Sequence, residues 1–68
     1  MANDDLMQGL QVLRNRGNSG DVDAMKRLVM IFTGIMEQAT NARDYSAAIS
    51  ARDEGQYWLD KLEKAGIR

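Results

Sequence analysis

The sequence predicts an all-α protein of three helices, in which the second and third helices form a long antiparallel hairpin. The chain of 68 residues contains no proline. Its apolar residues recur at spacings of three and four along most of its length, which is the period of a helix buried on one side. No segment alternates apolar with polar residues, and no Asn-Gly or Asp-Gly pair indicates a strand hairpin.

The first helix is expected at about residues 3–16. Leu6, Leu10 and Leu13 follow one another at spacings of four and three, so they share one helical face. Acidic residues come at the start of this segment and arginines at its end, which is the order that the helix dipole favours. Gly17 is the expected left-handed residue that ends the helix.

The second helix is expected at about residues 22–42, with Asp21 as its N-cap. The apolar pattern passes through Gly34 without a change of phase, so the segment is interpreted as one helix. A glycine inside a helix costs about 1 kcal/mol relative to alanine. The apolar face consists of Met25, Leu28, Val29, Phe32, Ile35, Met36 and Ala39.

The third helix is expected at about residues 44–65, beginning at Asp44 or Ser46 and ending before Gly66. Its inward face carries small residues in the first half and large ones in the second, namely Ala48, Ala51, Gly55, Trp58, Leu59 and Leu62. Small residues let a neighbouring backbone approach closely. This pattern favours an antiparallel hairpin with the second helix, and the first helix lies across the open side of that hairpin.

Residues 1–68 are expected to form a single domain with a small core. The predicted core residues are Leu10, Leu28, Phe32, Ile35, Leu59 and Leu62. A chain of this length buries a limited share of its surface, and it has no cysteine or histidine for a disulfide or a structural zinc ion. Self-association, most simply as a homodimer, is therefore expected to contribute to its stability.

The composition argues against several classes of function. Without His and Cys the commonest general bases, nucleophiles and metal ligands are missing, so no catalytic residue, cofactor or metal site is expected and the chain is interpreted as non-enzymatic. The formal net charge is −1 with both signs dispersed, so nucleic acid is not an expected partner. The longest apolar run, LVMIF, is too short to span a membrane, and no secretory signal is recognisable, which together predict a cytoplasmic protein.

Three segments within residues 20–66 resemble a known repeat family. GDVDAMKRLVMIFTG at 20–34, DYSAAI at 44–49 and QYWLDKLEKAG at 56–66 are similar to the two helices of a Sel-like repeat, which belongs to the tetratricopeptide-related helical repeats. Only one unit is present, and Leu62 and Glu63 stand where two alanines are usual. The resemblance implies a helical hairpin that makes protein contacts.

A DNA-binding regulator is the alternative, because WLDKLEKAGIR at 58–68 also resembles a recognition helix that runs into the wing of a winged helix-turn-helix domain. That interpretation places Asp53 and Glu54 where side chains should face phosphates, and acidic residues there oppose binding. It also places Gly55 where a branched apolar residue is usual. A structural subunit of a larger assembly is a third hypothesis.

The preferred hypothesis is a protein-binding module, a small regulator or inhibitor that docks a helix face on another protein. Four apolar residues lie at or beyond the borders of the predicted inward faces and are the candidate binding residues: Met30, Ile31, Ile49 and Tyr57. Methionine and tyrosine suit adaptable protein contacts. The same residues are expected to be buried in the predicted homodimer, formed through the second and third helices.

Overall fold

The computed structural model describes the backbone of residues 2–66 and the side chains of residues 7–66. It contains three α-helices, α1 (Ala2–Asn18), α2 (Val22–Asn41) and α3 (Tyr45–Lys64), and no strand within the described backbone. The predicted all-α class, with a long hairpin formed by α2 and α3, is confirmed. Leu6, assigned above to the apolar face of the first helix, lies outside the residues whose side chains are described.

Helix α1 continues past its predicted end, and the prediction that Gly17 caps it is wrong. Gly17 lies within the helix, and the left-handed residue of the connection is Gly20, with φ of 98°. Gly17 instead lies directly against the Trp58 ring of α3. A Cβ atom added there would lie 2.6 Å from Cζ3 of Trp58, so only glycine leaves room for the indole ring.

Helix α2 begins at a capped end and runs through Gly34 as one helix, as predicted. The backbone N–H of Ala24 donates a hydrogen bond to Oδ1 of Asp21 at 3.2 Å. Nε of Arg16 donates to the other carboxylate oxygen of Asp21 at 2.9 Å, which ties the end of α1 to the start of α2. The N-cap therefore also fixes the turn between the two helices.

A three-residue connection joins α2 to α3. Arg43 has a φ of 60°, which is the left-handed conformation that reverses the chain direction. Asp44 is the N-cap of α3, because its Oδ1 accepts a hydrogen bond from the backbone N–H of Ala47 at 3.2 Å. At the other end of α3, Gly66 has the expected left-handed conformation, with φ of 82°.

All three helices contribute to one core. Its buried members are Leu10, Met25, Leu28, Phe32, Ala51, Trp58 and Leu62, and Ile35 packs against them while partly buried. The prediction that Leu59 belongs to this core is wrong, because its exposed fraction is 41% while that of Trp58 is 2%. Successive residues on a helix point about 100° apart, so the packing of Trp58 between α1 and α2 turns Leu59 toward solvent.

Helix α1 covers only one side of the hairpin. Arg14 of α1 donates to both carboxylate oxygens of Glu54 in α3, at 2.7 and 2.9 Å, and the Tyr57 hydroxyl lies 3.4 Å from Oδ1 of Asn18. The resulting molecule is flat, with Cα extents of 35 × 27 × 13 Å. Its radius of gyration of 12.3 Å exceeds the value of about 11 Å expected for a compact domain of this length.

Candidate protein-docking surface

A shallow apolar groove runs along the side of the hairpin that α1 leaves open. We call this surface the outer hairpin face. From α2 it comprises Val29, Thr33, Met36 and Thr40. From α3 it comprises Tyr45, Ile49, Arg52, Gln56 and Leu59. Two adjoining depressions, which share Met36 and Arg52, form the groove between these two rows.

The local sequence explains why the two rows face the same way. In each row successive residues alternate between spacings of four and three, which is the spacing of a single stripe along an α-helix. The stripe lies beside the core stripe of the same helix and is rotated away from α1. The antiparallel hairpin then places the two stripes next to each other along its length.

Small side chains and the core itself close the bottom of the groove. Ala48, Ala51 and Gly55 line it from α3, and Phe32 lines it from α2. A Cβ atom added to Gly55 would lie 3.5 Å from Cβ of Phe32, so the two helices are in contact beneath the groove. The depressions have volumes of about 150 and 210 Å³, below the roughly 300–1,000 Å³ of pockets that enclose small molecules. A shallow, long groove of this kind suits another helix better than a small ligand.

The outer hairpin face combines exposed apolar side chains with very little charge. Tyr45, Ile49 and Leu59 have exposed fractions of 61%, 50% and 41%. Arg52 is the one charged residue in the two rows that define the face, and its side chain is largely exposed. Its Nη2 lies 3.6 Å from a carboxylate oxygen of Asp53, the next residue on the same helix. Exposed apolar residues that adjoin one another are typical of protein-contact surfaces.

The opposite side of α3 holds a polar network that attaches α1. Nε1 of Trp58 donates to Oε2 of Glu54 at 3.3 Å, so this carboxylate accepts hydrogen bonds from both Arg14 and the indole. The hydrogen bond from Arg14 is the main cause of the lowered pKa of Glu54. The same hydrogen bond is the main cause of the raised pKa of Arg14. Both charged groups are thereby held in their ionised forms. A carboxylate so occupied joins the helices, and it is not poised to act as a proton-transfer group.

Among residues 7–66, whose side chains are described, no three His, Cys, Asp or Glu residues come together in a way that could hold a metal ion. Each of the three helices, within the described backbone, is too short or too polar to cross a membrane.

The four candidate residues from the sequence do not form one surface. Ile49 lies on the outer hairpin face, whereas Met30, with an exposed fraction of 74%, does not line the groove. Ile31 is partly buried against the core. Tyr57 contacts Trp58 edge to face, with ring centroids 4.9 Å apart, on the side of α3 that faces α1.

Tyr45, Met36 and Leu59 lie on one groove that the sequence pattern does not predict. The periodicity of each helix predicts a single apolar stripe, and it places Met36 and Leu59 on the inward faces. The only signal in the sequence is that apolar residues recur within a second row of each helix, where they alternate with threonine, arginine or glutamine. Its significance depends on where α1 packs, which the pattern of either helix alone does not specify.

Comparisons of this chain with protein-family models, with curated proteins and with solved structures find no match. The resemblance to Sel-like repeats therefore stays a prediction from the sequence.

Proposed function

We propose that this chain is a non-enzymatic protein-binding module that acts as a small regulator or inhibitor by docking its outer hairpin face on another protein molecule. The observation that carries this proposal is the juxtaposition of exposed Tyr45, Ile49 and Leu59 along a groove with an apolar floor. Their burial would release apolar surface from water, at about 25 cal/mol per Å².

The geometry suits recognition of a helix. The groove follows two helices of 20 residues each, and its floor of small residues allows a third helix to approach closely. A helix laid along such a groove contributes apolar residues at spacings of three and four, which is the helix-in-groove mode of recognition.

The test is capture of partners from the native cell by the wild-type chain and by matched variants. The double variant Ile49→Glu/Leu59→Glu places two carboxylates on the outer hairpin face. Val12→Glu is the control, because Val12 is an equally exposed apolar residue on α1, with an exposed fraction of 54%. Far-UV circular dichroism verifies that each variant is folded.

A protein that is identified, retained by wild type and by Val12→Glu, and lost from the double variant would support the proposal. Its affinity for the purified variants should then follow the same order. Retention of the same proteins by all three chains would contradict the proposal.

DNA binding is the alternative that a simple titration can test. A winged-helix protein binds random duplex DNA at low salt through its phosphate contacts, and this binding weakens steeply as salt is added. We expect no such binding here, because Asp53 and Glu54 occupy the region that would approach the phosphates and Glu54 is already paired with Arg14. Binding that decreases with salt would favour the DNA-binding hypothesis.

A further inference from the structure

We propose that the partner of the outer hairpin face is the same face of a second copy of this chain, so that two α2–α3 hairpins form a four-helix bundle. This inference rests on the proposed function, because it names the molecule that the docking surface binds. Four features of the face favour a second copy: its spacing, its area, its charge and the shape of the molecule.

The spacing of the stripes is that of a helix bundle. Helices of four-helix bundles pack nearly antiparallel and present residues at alternating spacings of three and four to a shared interior. The outer hairpin face supplies two such stripes side by side. A second copy supplies the other two stripes, with the same residues at the same spacings. Val29 and Leu59 at one end of the face and Ile49 at the other end would then lie in the shared interior.

The area of the face approaches the scale that a stable dimer needs. Its two rows run from Val29 to Thr40 and from Tyr45 to Leu59, which corresponds to lengths of about 17 and 21 Å at 1.5 Å per residue. Two helices packed about 9 Å apart present a width of about 20 Å, so the projected area is about 400 Å². The accessible surface of a ridged helical face exceeds its projection, and a typical stable interface buries roughly 800 Å² per partner.

The charge of the face is compatible with pairing between identical copies. Arg52 is its one charged member, so a second copy adds a single further cation and no carboxylate to the contact. The Arg52 side chain is 65% exposed, which allows the guanidinium to stay in water while its aliphatic stem covers apolar surface. A strongly acidic partner would find only this one cation on the face.

The flat shape of the molecule also favours pairing. Domains generally pack two layers of secondary structure around their core. Here α1 covers one side of the hairpin, and the thickness of the molecule is 13 Å in Cα extent. A second hairpin stacked on the outer hairpin face would cover the side of the hairpin that α1 leaves open.

Sedimentation equilibrium on the full chain, over micromolar to millimolar concentration, tests the proposal. Wild type should fit a monomer–dimer equilibrium. We expect Ile49→Glu and Leu59→Glu each to lower the association constant by more than about tenfold. The two variants are measured separately, so that the test remains possible if one of them does not fold. Val12→Glu should leave the association constant unchanged, and circular dichroism verifies the fold of each chain.

Two results would overturn the proposal. The first is a wild-type chain that is monomeric over the whole concentration range. The second is a dimer that Met30→Glu dissociates and the two outer-face variants do not, which would place the interface on the surface of α2 that carries Met30. If wild type is monomeric but captures an identified partner that Ile49→Glu does not capture, the proposed function is supported, and that partner rather than a second copy binds the outer hairpin face. If it is monomeric and capture is indifferent to these variants, both proposals fail.

Discussion

At the scale of single residues, Trp58 determines which surfaces of the hairpin remain open. Its ring is almost fully buried and lies directly against Gly17 of α1. This contact brings α1 onto one side of α3 and turns the next residue, Leu59, to the other side. The indole also donates to Oε2 of Glu54, the oxygen that accepts a hydrogen bond from Nε of Arg14 in α1. One aromatic residue thus links the position of α1 to the exposure of the outer hairpin face.

Two glycine-to-alanine substitutions should change stability in opposite directions. Gly17→Ala adds a methyl group 2.6 Å from the Trp58 ring. Because the ring is rigid and lies in a packed core, its displacement should lower the free energy of unfolding by about 1–3 kcal/mol. Gly34→Ala meets nothing within 4 Å and replaces the poorest ordinary helix former inside α2, so it should stabilise the protein by about 0.5–1 kcal/mol. Urea denaturation followed by circular dichroism measures both values. A Gly17→Ala protein as stable as wild type would contradict the packing of Trp58 on α1.

The Arg14–Glu54 pair should make the attachment of α1 sensitive to acid. The pKa of Glu54 is lower in the folded protein than in the unfolded chain, chiefly because Arg14 donates hydrogen bonds to it. A carboxyl group with a lowered folded-state pKa contributes stability above its unfolded pKa, about 4.3, and that contribution disappears as the pH falls through the lowered value.

The pKa of Asp21 is also lowered, mainly by the hydrogen bond from the Ala24 N–H and then by Arg16. A double-mutant cycle with Arg14→Ala and Glu54→Ala separates the contribution of the Arg14–Glu54 pair from that of Asp21. We expect a coupling free energy of about 1 kcal/mol at neutral pH, because the pair is bidentate but still partly exposed. The coupling should vanish in strong acid. A coupling that stayed constant down to pH values below the carboxyl pKa range would show that the two side chains interact through packing alone.

At the scale of elements, the helices were predictable and their relative placement was not. Asp21, Asp44 and Gly66 carry local signals, because an N-cap or a left-handed glycine acts within one turn of its own helix. The role of Gly17 depends on a contact with a residue 41 positions later, and no local pattern distinguishes a capping glycine from one that admits a ring. The same applies to Leu59 and Ile49, whose exposure follows from the side of the hairpin that α1 occupies.

The connection between α2 and α3 offers a prediction about the hairpin itself. Arg43 adopts a φ of 60°, where the Cβ atom of an L-residue costs about 1–2 kcal/mol relative to the right-handed region and glycine has no such penalty. Arg43→Gly should therefore stabilise the protein, by up to about 1 kcal/mol once the greater freedom of glycine in the unfolded chain is included. Gly20→Ala, which places a Cβ at a φ of 98° in the other connection, should destabilise it. Thermal denaturation of the two variants checks both signs, and a destabilised Arg43→Gly protein would mean that the arginine side chain holds the turn.

At the scale of the whole molecule, one small core has to hold three helices in a flat arrangement. The buried cluster draws Leu10 from α1, Leu28 from α2 and Trp58 from α3, so none of the three helices has an apolar stripe that is satisfied without the others. The hairpin has the larger share of the core, but its Trp58 is covered only when α1 is in place. Stability, the attachment of α1 and the exposure of the outer hairpin face are consequently linked.

This linkage predicts that the protein unfolds in one cooperative step. If α1 detached first, the Trp58 indole would reach water while α2 and α3 kept most of their helical signal. Because all three helices share the same buried cluster, we expect the urea transition observed by Trp58 fluorescence to coincide with that observed by circular dichroism at 222 nm, with equal midpoints and slopes. Trp58 is the only tryptophan in the chain, so its fluorescence reports this one position. Arg14→Ala should shift both transitions together to lower urea. A fluorescence midpoint well below the circular-dichroism midpoint would instead show that α1 detaches before the hairpin unfolds. The α2–α3 hairpin would then be the folding unit that carries the docking surface.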